Sequence, residues 1–232
     1  MCGRYVSPGT AAMERYWELK RGEPLKNLKT HPAFSKPNYN TYPPQMVPVE
    51  RNGPDGPEIV PMRWGMDRVD RITGEIAPRK LNNARVEGYK RVPPFAQAWK
   101  KGQRAIQLVK GYYEWMGRAD GKKVPFYIRP GDQGEVFGLA ALWDFAADGS
   151  GLLTVTHITM PPNAVIARIH DRMPAILRAE DHEAWLSGTP EEAAACLKPY
   201  PDEFTIMHRV SPRVNATKNN DETLIVPEEG EE

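Results

Sequence analysis

The sequence predicts an α+β fold in one domain, built on a large, mainly antiparallel and strongly curved β-sheet with a few flanking helices. Three observations carry that expectation. The 232 residues suffice for one well-buried core and are short for two, and a composition 40% hydrophobic and 26% charged is that of a globular chain. Strand-like runs separated by Gly, Asp or Pro turns fill the middle of the chain. Helix signals are confined to three places.

Taken in order, Thr10 to Leu19 reads as the first helix. From Lys20 to Pro57, prolines at 24, 32, 37, 43, 44, 48, 54 and 57 break every regular period. This predicts an extended, turn-rich surface arm with at most short strands. Strands are then expected over Glu58 to Met66, Arg104 to Trp115, Val124 to Ile128, Glu135 to Trp143, Leu152 to Met160, Ala175 to Leu177 and Phe204 to Val210. Gly117 to Lys123 superficially resembles a phosphate loop, but its glycine spacing is one short and no Ser or Thr follows the lysine. Turn chemistry makes it a hairpin turn instead. A second helix is expected over Ala179 to Leu186, ending before Gly188. A third opens at Thr189-Pro190-Glu191-Glu192, which supplies an N-cap, a proline at the first helical position and a capping-box glutamate. The domain is expected to span 1–226, with 227–232 as an acidic, solvated tail.

Composition narrows the function classes. A formal net charge of +1 gives no whole-molecule field for nucleic acid, so any such contact needs a local basic patch. Residues 1–8 carry Arg4 and no apolar run, and no stretch approaches a membrane span, so a cytoplasmic protein without membrane contact is expected. Cys2 and Cys196 are far apart and lack CxxC spacing, which argues against a disulfide framework or structural zinc. His182-Glu183 opens like a zinc-protease helix, but the second histidine is missing. Asn215-Ala216-Thr217 is an incidental glycosylation sequon. No metal or cofactor is expected, and the chain is read as a monomer.

Cys2 carries the sharpest chemistry. Removal of Met1 would leave an amine and a thiol on adjacent carbons, two nucleophiles able to act together on an aldehyde. The amine forms an imine, sulfur adds to the imine carbon, and a five-membered thiazolidine closes. Unperturbed values of about 7.7 to 8.0 for the amine and about 8.5 for the thiol leave both partly reactive near neutral pH. Glu114 and His170 are the candidate proton carriers. Period two puts Glu114 on the face of Tyr112, opposite Tyr113 and Trp115, where a raised carboxyl is plausible, although a solvent-facing strand end fits the pentapeptide as well. His170 lies in a charged cluster before an apolar strand, where position alone favours a structural role over a catalytic one.

Several ordered blocks resemble those of the SOS-response-associated peptidase (SRAP) family. They are Met1-Cys2-Gly3-Arg4-Tyr5, Tyr39-Asn40-Thr41-Tyr42-Pro43, Arg63-Trp64-Gly65, Asn83-Ala84-Arg85, Gly111-Tyr112-Tyr113-Glu114-Trp115, Ile169 to Pro174, and Val210 to Asn215. The chain departs from the family pattern at Met66-Asp67, where a proline and a tryptophan usually follow, and at Leu108-Val109-Lys110. The resemblance implies a compact α+β fold with a barrel-like sheet and a positively charged channel for single-stranded DNA containing abasic sites. It further implies that processed Cys2 forms a thiazolidine with the ring-opened sugar, that Asn83 orients the sugar or the Cys2 terminus, and that Glu114 and His170 handle protons. Arg4, Arg85 and Arg172 would hold phosphates, with Lys110 and Thr159 placed beside them. Trp64 and the Tyr39, Asn40 and Pro43 arm would stack on bases or wedge between them. Two other readings stay open: a thiol peptidase or autopeptidase acting through Cys2, and a non-covalent single-strand or modified-base binding module.

Overall fold

Strands with two apolar faces must be covered on both sides, and here much of the sheet covers itself by closing. The computed structural model describes residues 2–228 apart from 27, 30, 71, 78 and 79. Its elements are β1 (Tyr5–Ser7), α1 (Thr10–Arg21), β2 (Asn38–Thr41), β3 (Met46–Gly53), β4 (Gly56–Trp64), β5 (Asn83–Arg85), α2 (Phe95–Lys100), β6 (Arg104–Val109), β7 (Gly111–Gly117), β8 (Lys123–Pro130) and β9 (Phe137–Phe145). They continue through β10 (Leu153–Met160), α3 (Ala164–Ala167), β11 (Met173–Pro174), β12 (Ile176–Leu177), α4 (His182–Ser187), α5 (Pro190–Ala195) and β13 (Thr205–Arg209). Strand β10 pairs with β4, β4 with β3, β3 with β6, β6 with β9, and β9 returns to β10. The circuit is a closed barrel, parallel only at the β4–β10 step. Every residue of β6 is buried, because alternate side chains fill the barrel interior while α4 covers the outer face, where Trp185 Nε1–H donates to Ala105 O (2.8 Å).

A second, antiparallel sheet in the order β13-β8-β7-β1-β2 stands beside the barrel. The chain passes between them at Lys110, so the single strand expected over Arg104 to Trp115 is two strands in two sheets. The Lys110 N–H donates to Val6 O at that crossing (2.9 Å). The strand expected over Ala175 to Leu177 is β12 on β9, and the separate strand β11 precedes it on β10.

The proline-rich arm is more regular than its sequence suggests. It contributes an eight-residue strand, β3, whose Pro48 lies opposite Pro61 of β4. Two facing prolines fit an antiparallel ladder only at a pair where neither residue donates to the other, and there the missing N–H groups cost nothing. Helix α1 runs two residues past its expected end and stops at Gly22, whose φ of 69° is the left-handed C-cap that favours glycine. The Gly117 to Lys123 segment is the β7–β8 hairpin turn. At α5 the capping box forms, with Glu192 N–H donating to Thr189 Oγ1 (3.2 Å) and Thr189 N–H to Glu192 Oε2 (2.7 Å). At the other end of the chain, Pro227 bridges to Val210 and Glu228 pairs with Arg209, so the first two residues assigned to the tail are held against β13. Among the described residues, no helix is long and apolar enough to cross a membrane.

Helix α1 docks on the barrel through charge. Glu50 of β3 is fully buried and accepts from Lys20 Nζ (2.7 and 2.9 Å), Arg21 NH2 (3.0 Å) and the Tyr16 hydroxyl (2.9 Å). The two cations hold its carboxyl below the usual range against the opposing effect of burial. Breaking such a pair leaves uncompensated charge in a dry interface. Glu50→Ala is therefore expected to cost about 3–5 kcal/mol in denaturant unfolding, and a change below about 1 kcal/mol would mean the cluster is not what anchors α1.

Candidate functional site

The register of the second sheet determines where the N-terminus lies. Tyr5 sits opposite Tyr112 and Val6 opposite Gly111, while Tyr113 N–H donates to Arg4 O (2.9 Å). Continuing that antiparallel register brings the residues before Arg4 alongside Glu114. Cys2 is buried, with 2% of its surface exposed, and its thiol hydrogen-bonds to the Glu114 carboxylate. Met1, and with it the question of its removal, lies outside the described residues.

Period two places these groups as expected. Tyr112 and Glu114 face the main core and Cys2, whereas Tyr113 and Trp115 turn to a second cluster with Val6, Tyr127 and Val210. Glu114 is not at a solvent-facing strand end, for only 2% of it is exposed. Burial holds its carboxyl above the usual range, against the opposing effects of the Cys2 hydrogen bond and His170. Burial, then Glu114, push the Cys2 thiol well above its ordinary value. The expectation of a partly ionised thiol near neutral pH is therefore corrected: the thiol is protonated.

His170 completes the line. It lies on the loop after α3, its Nε2 3.6 Å from Glu114 Oε2. On its other side, His170 Nδ1 lies 3.0 Å from Arg172 N, 3.2 Å from Arg172 O and 3.1 Å from Asp171 Oδ1, contacts that turn Nε2 toward Glu114. Thiol, carboxylate and imidazole thus stand in sequence. A cleft of about 420 Å³ opens over the pair, lined by Arg4, Glu114, Trp115, Lys123, His170 and Asn215. Depressions of about 870 and 620 Å³ lie elsewhere, and neither contains Cys2, Glu114 or His170.

Asn83 starts β5, which pairs in parallel with β10 so that Asn83 stands beside His157 on one face. His157, 1% exposed, faces the main chain of Cys2, so Asn83 approaches the same corner. Arg85, at the other end of β5, is exposed and makes no ion pair among the described residues.

Several expected DNA contacts are structural. Trp64 is fully buried, its ring packed against Tyr5 (4.8 Å) and His157 (5.4 Å), and its Nε1–H donates to Asn82 O (2.9 Å), so it cannot stack on a base. Asn40, 1% exposed, donates through Nδ2 to the carbonyls of Val214, Ala216 and Asn219, latching the C-terminal segment. Thr159 is buried, and its carbonyl accepts from Arg172 NH2 (2.6 Å). Arg172 also grips Glu87 in a two-pronged pair (2.6 and 3.1 Å), which occupies the guanidinium expected on phosphate. Lys110 is paired with Glu135 (2.5 Å) and sits over the Tyr39 ring. Tyr39 and Pro43 are half-buried, and the Tyr39 carbonyl accepts from the Tyr113 hydroxyl (2.8 Å). Arg4 lines the cleft, but one nitrogen is engaged by Asn40 Oδ1 (2.7 Å) and Val214 O (2.8 Å).

The cleft also holds residues that sequence reading passed over. Trp115, on the strand face opposite Glu114, donates its Nε1–H to Asn215 Oδ1 (2.7 Å) at the cleft wall. Lys123 closes the β7–β8 hairpin, a position no pattern connects with Glu114. His157 did leave a signal, a histidine inside the otherwise apolar and threonine-rich run of β10.

The chain is similar to several known proteins. "Abasic site processing protein YoqW" of Bacillus subtilis is 31% identical over 194 residues, covering 82% of this chain and 85% of the relative. "Abasic site processing protein HMCES" of Gallus gallus is 27% identical over 264 aligned residues, covering 98% and 78%. Crystal structures of proteins from Bordetella bronchiseptica (TM-score 0.74, 22% identity, 90% of this chain and 100% of the other) and Bacteroides thetaiotaomicron (0.74, 21%, 98% and 100%) share the fold. Residues 1–217 match the model of the family described as SOS response associated peptidase (SRAP), and the chain belongs to that family.

Proposed function

We propose that this protein processes abasic sites in single-stranded DNA, its Cys2, exposed as the N-terminal residue, forming a thiazolidine with the ring-opened sugar. The observation that carries the reading is the line of Cys2 thiol, Glu114 and His170, of which Glu114 and His170 line a cleft edged by Arg4 and Lys123 and Cys2 lies buried behind Glu114. The names of the relatives point to the same substrate. The amine attacks the aldehyde carbon, and the carbinolamine loses its hydroxyl as water to give the imine. Sulfur then adds to the imine carbon while the thiol proton passes, by way of Glu114, to the nitrogen. Aldehyde and cysteine become thiazolidine and one water, with no change of oxidation state. His170, whose Nε2 faces Glu114, exchanges protons with it and with the opening sugar oxygen.

The raised thiol bears on the peptidase reading. A thiol peptidase attacks as thiolate and needs its cysteine lowered, commonly by a histidine. Here the thiol bonds to a carboxylate and is pushed up. Condensation tolerates this, because the amine makes the first bond and sulfur closes the ring within one molecule.

Single-turnover reaction with an abasic oligonucleotide tests the reading. Cys2→Ala should give no stable adduct, and Cys2→Ser only a borohydride-trapped imine. Glu114→Gln and His170→Ala should each slow adduct formation by about 10²–10⁴-fold with DNA affinity nearly unchanged. Wild-type rates in both variants would remove them from the chemistry.

Binding should weaken with salt at a log–log slope of about −2, as for neutralising about three phosphates on a single strand. Arg85→Ala and Lys123→Ala should each make it shallower, while Lys110→Ala, already paired with Glu135, should not. A slope that only Lys110→Ala changes would reverse that placement.

Glu114 also makes stability depend on pH. Its folded-state pKa is raised above the unfolded value, so its contribution is full below the unfolded pKa and is lost as pH rises through the folded one. Glu114→Gln should therefore melt above wild type by about 2–4 °C at pH 8, equivalent to about 1 kcal/mol, and the gap should narrow toward pH 5. Equal gaps at both pH values would show that the carboxyl is not held protonated by burial.

A further inference from the structure

We infer that His157 is a positioning residue for Cys2: its buried ring holds the main chain of Cys2 so that amine and thiol face the same carbon. The inference rests on the function proposed above and adds to it a residue outside the line of Cys2, Glu114 and His170. His157 lies in the middle of β10 and is 1% exposed. Its ring is held on one side by Trp64 at 5.4 Å, and Trp64 is backed in turn by Tyr5, so it has little freedom to turn.

Two hydrogen-bonding nitrogens on a buried ring normally find partners, because leaving one unmade costs about 1–3 kcal/mol. Among the described residues neither His157 nitrogen makes a hydrogen bond of good geometry. The polar group toward which the ring is directed is the Cys2 main chain, and the sense of that contact favours the charged ring, as an N–H aimed at a carbonyl does. The cost is concentrated at the residue that must be held still. Desolvation nonetheless dominates, and the ring is pulled down to about 3. It is neutral at every working pH, so it can orient Cys2 without adding a positive charge beside the amine.

Orientation matters here because the two steps use two atoms of one residue. The amine must reach the aldehyde first, and the thiol must then lie within bonding distance of the same carbon. Glu114 constrains the thiol, but by itself leaves the main chain free to rotate about Cα. His157, with Asn83 beside it on the sheet, supplies the second point of attachment.

The test uses full-length wild type, His157→Leu, His157→Asn and His157→Gln, each confirmed by intact mass to begin at Cys2. Two probes are applied: an abasic oligonucleotide and a small aldehyde, glycolaldehyde, whose condensation with Cys2 needs no DNA. His157→Leu should slow both reactions by about 10–100-fold, the range expected for misplacing a reacting group. It should not lower Tm, because two poorly bonded nitrogens are removed, should leave oligonucleotide affinity within error, and should raise the fraction trapped as imine over thiazolidine. One of the two amides should recover most of the rate, Asn if Nδ1 is the nitrogen in use and Gln if Nε2. The rate profile from pH 5 to 8 should keep its shape in the recovering variant.

Wild-type rates in His157→Leu with glycolaldehyde would overturn the inference, as would equal loss in both amides or the disappearance of a pH limb. Failure of every protein to react with the oligonucleotide while His157→Leu still differs from wild type toward glycolaldehyde would overturn the DNA reading and leave the positioning role standing. Absence of any glycolaldehyde reaction in wild type would overturn both.

Discussion

The interaction on which the site depends is the pairing of a three-residue strand. Strand β1 lies between β2 and β7, and its register against Tyr112 and Gly111 carries the chain end into the interior. An N-terminus is ordinarily frayed, because nothing offsets the entropy of ordering it. Here the cost is met by burying Tyr5 and Val6 on opposite faces of the sheet, one in the main core and one in the smaller cluster. A slip of one residue in that pairing would exchange those faces and turn Cys2 away from Glu114.

Burial then sets the chemistry. Glu114, Cys2 and His157 are all shifted toward their neutral forms, with desolvation the leading cause in each. A nucleophile relying on a free thiolate would be handicapped in such a place. A condensation that moves protons between neighbours is favoured, because the Cys2 thiol can hand its proton to Glu114 as the ring closes without a free thiolate. The same dryness makes each polar contact stronger and each missing one costlier.

The distribution of arginine and lysine follows a related logic. Arg172, Arg51 and Arg63 are committed to Glu87, Glu58 and Asp67, and Lys110 to Glu135. A net charge of +1 therefore conceals two populations, one tying strands and turns together and one left at the surface, with Arg85 at the end of β5 and Lys123 at the cleft. Residue type identified the cations. Only their partners separate the structural from the available.

Much of the local structure was legible in the sequence because it is decided within a few residues. The Thr189 capping box, the Gly117 to Lys123 turn and the opposite facing of Tyr112–Glu114 and Tyr113–Trp115 depend on short-range hydrogen bonding and on the period of a strand. The chemical capacity of Cys2 was legible too, since an amine and a thiol on adjacent carbons need no fold to define them. What lay beyond the sequence was decided by distant partners. Strand β3 survives its prolines because Pro48 meets Pro61. Trp64 and Asn40 turn inward because Tyr5, His157 and the Val214–Asn219 segment are there to receive them. Glu114 could be read as either a strand-end charge or a buried acid, and His157 went unread, because burial belongs to the assembled sheets; only when β7 and β10 pack around the chain's first residues do these side chains lose their water and acquire their roles.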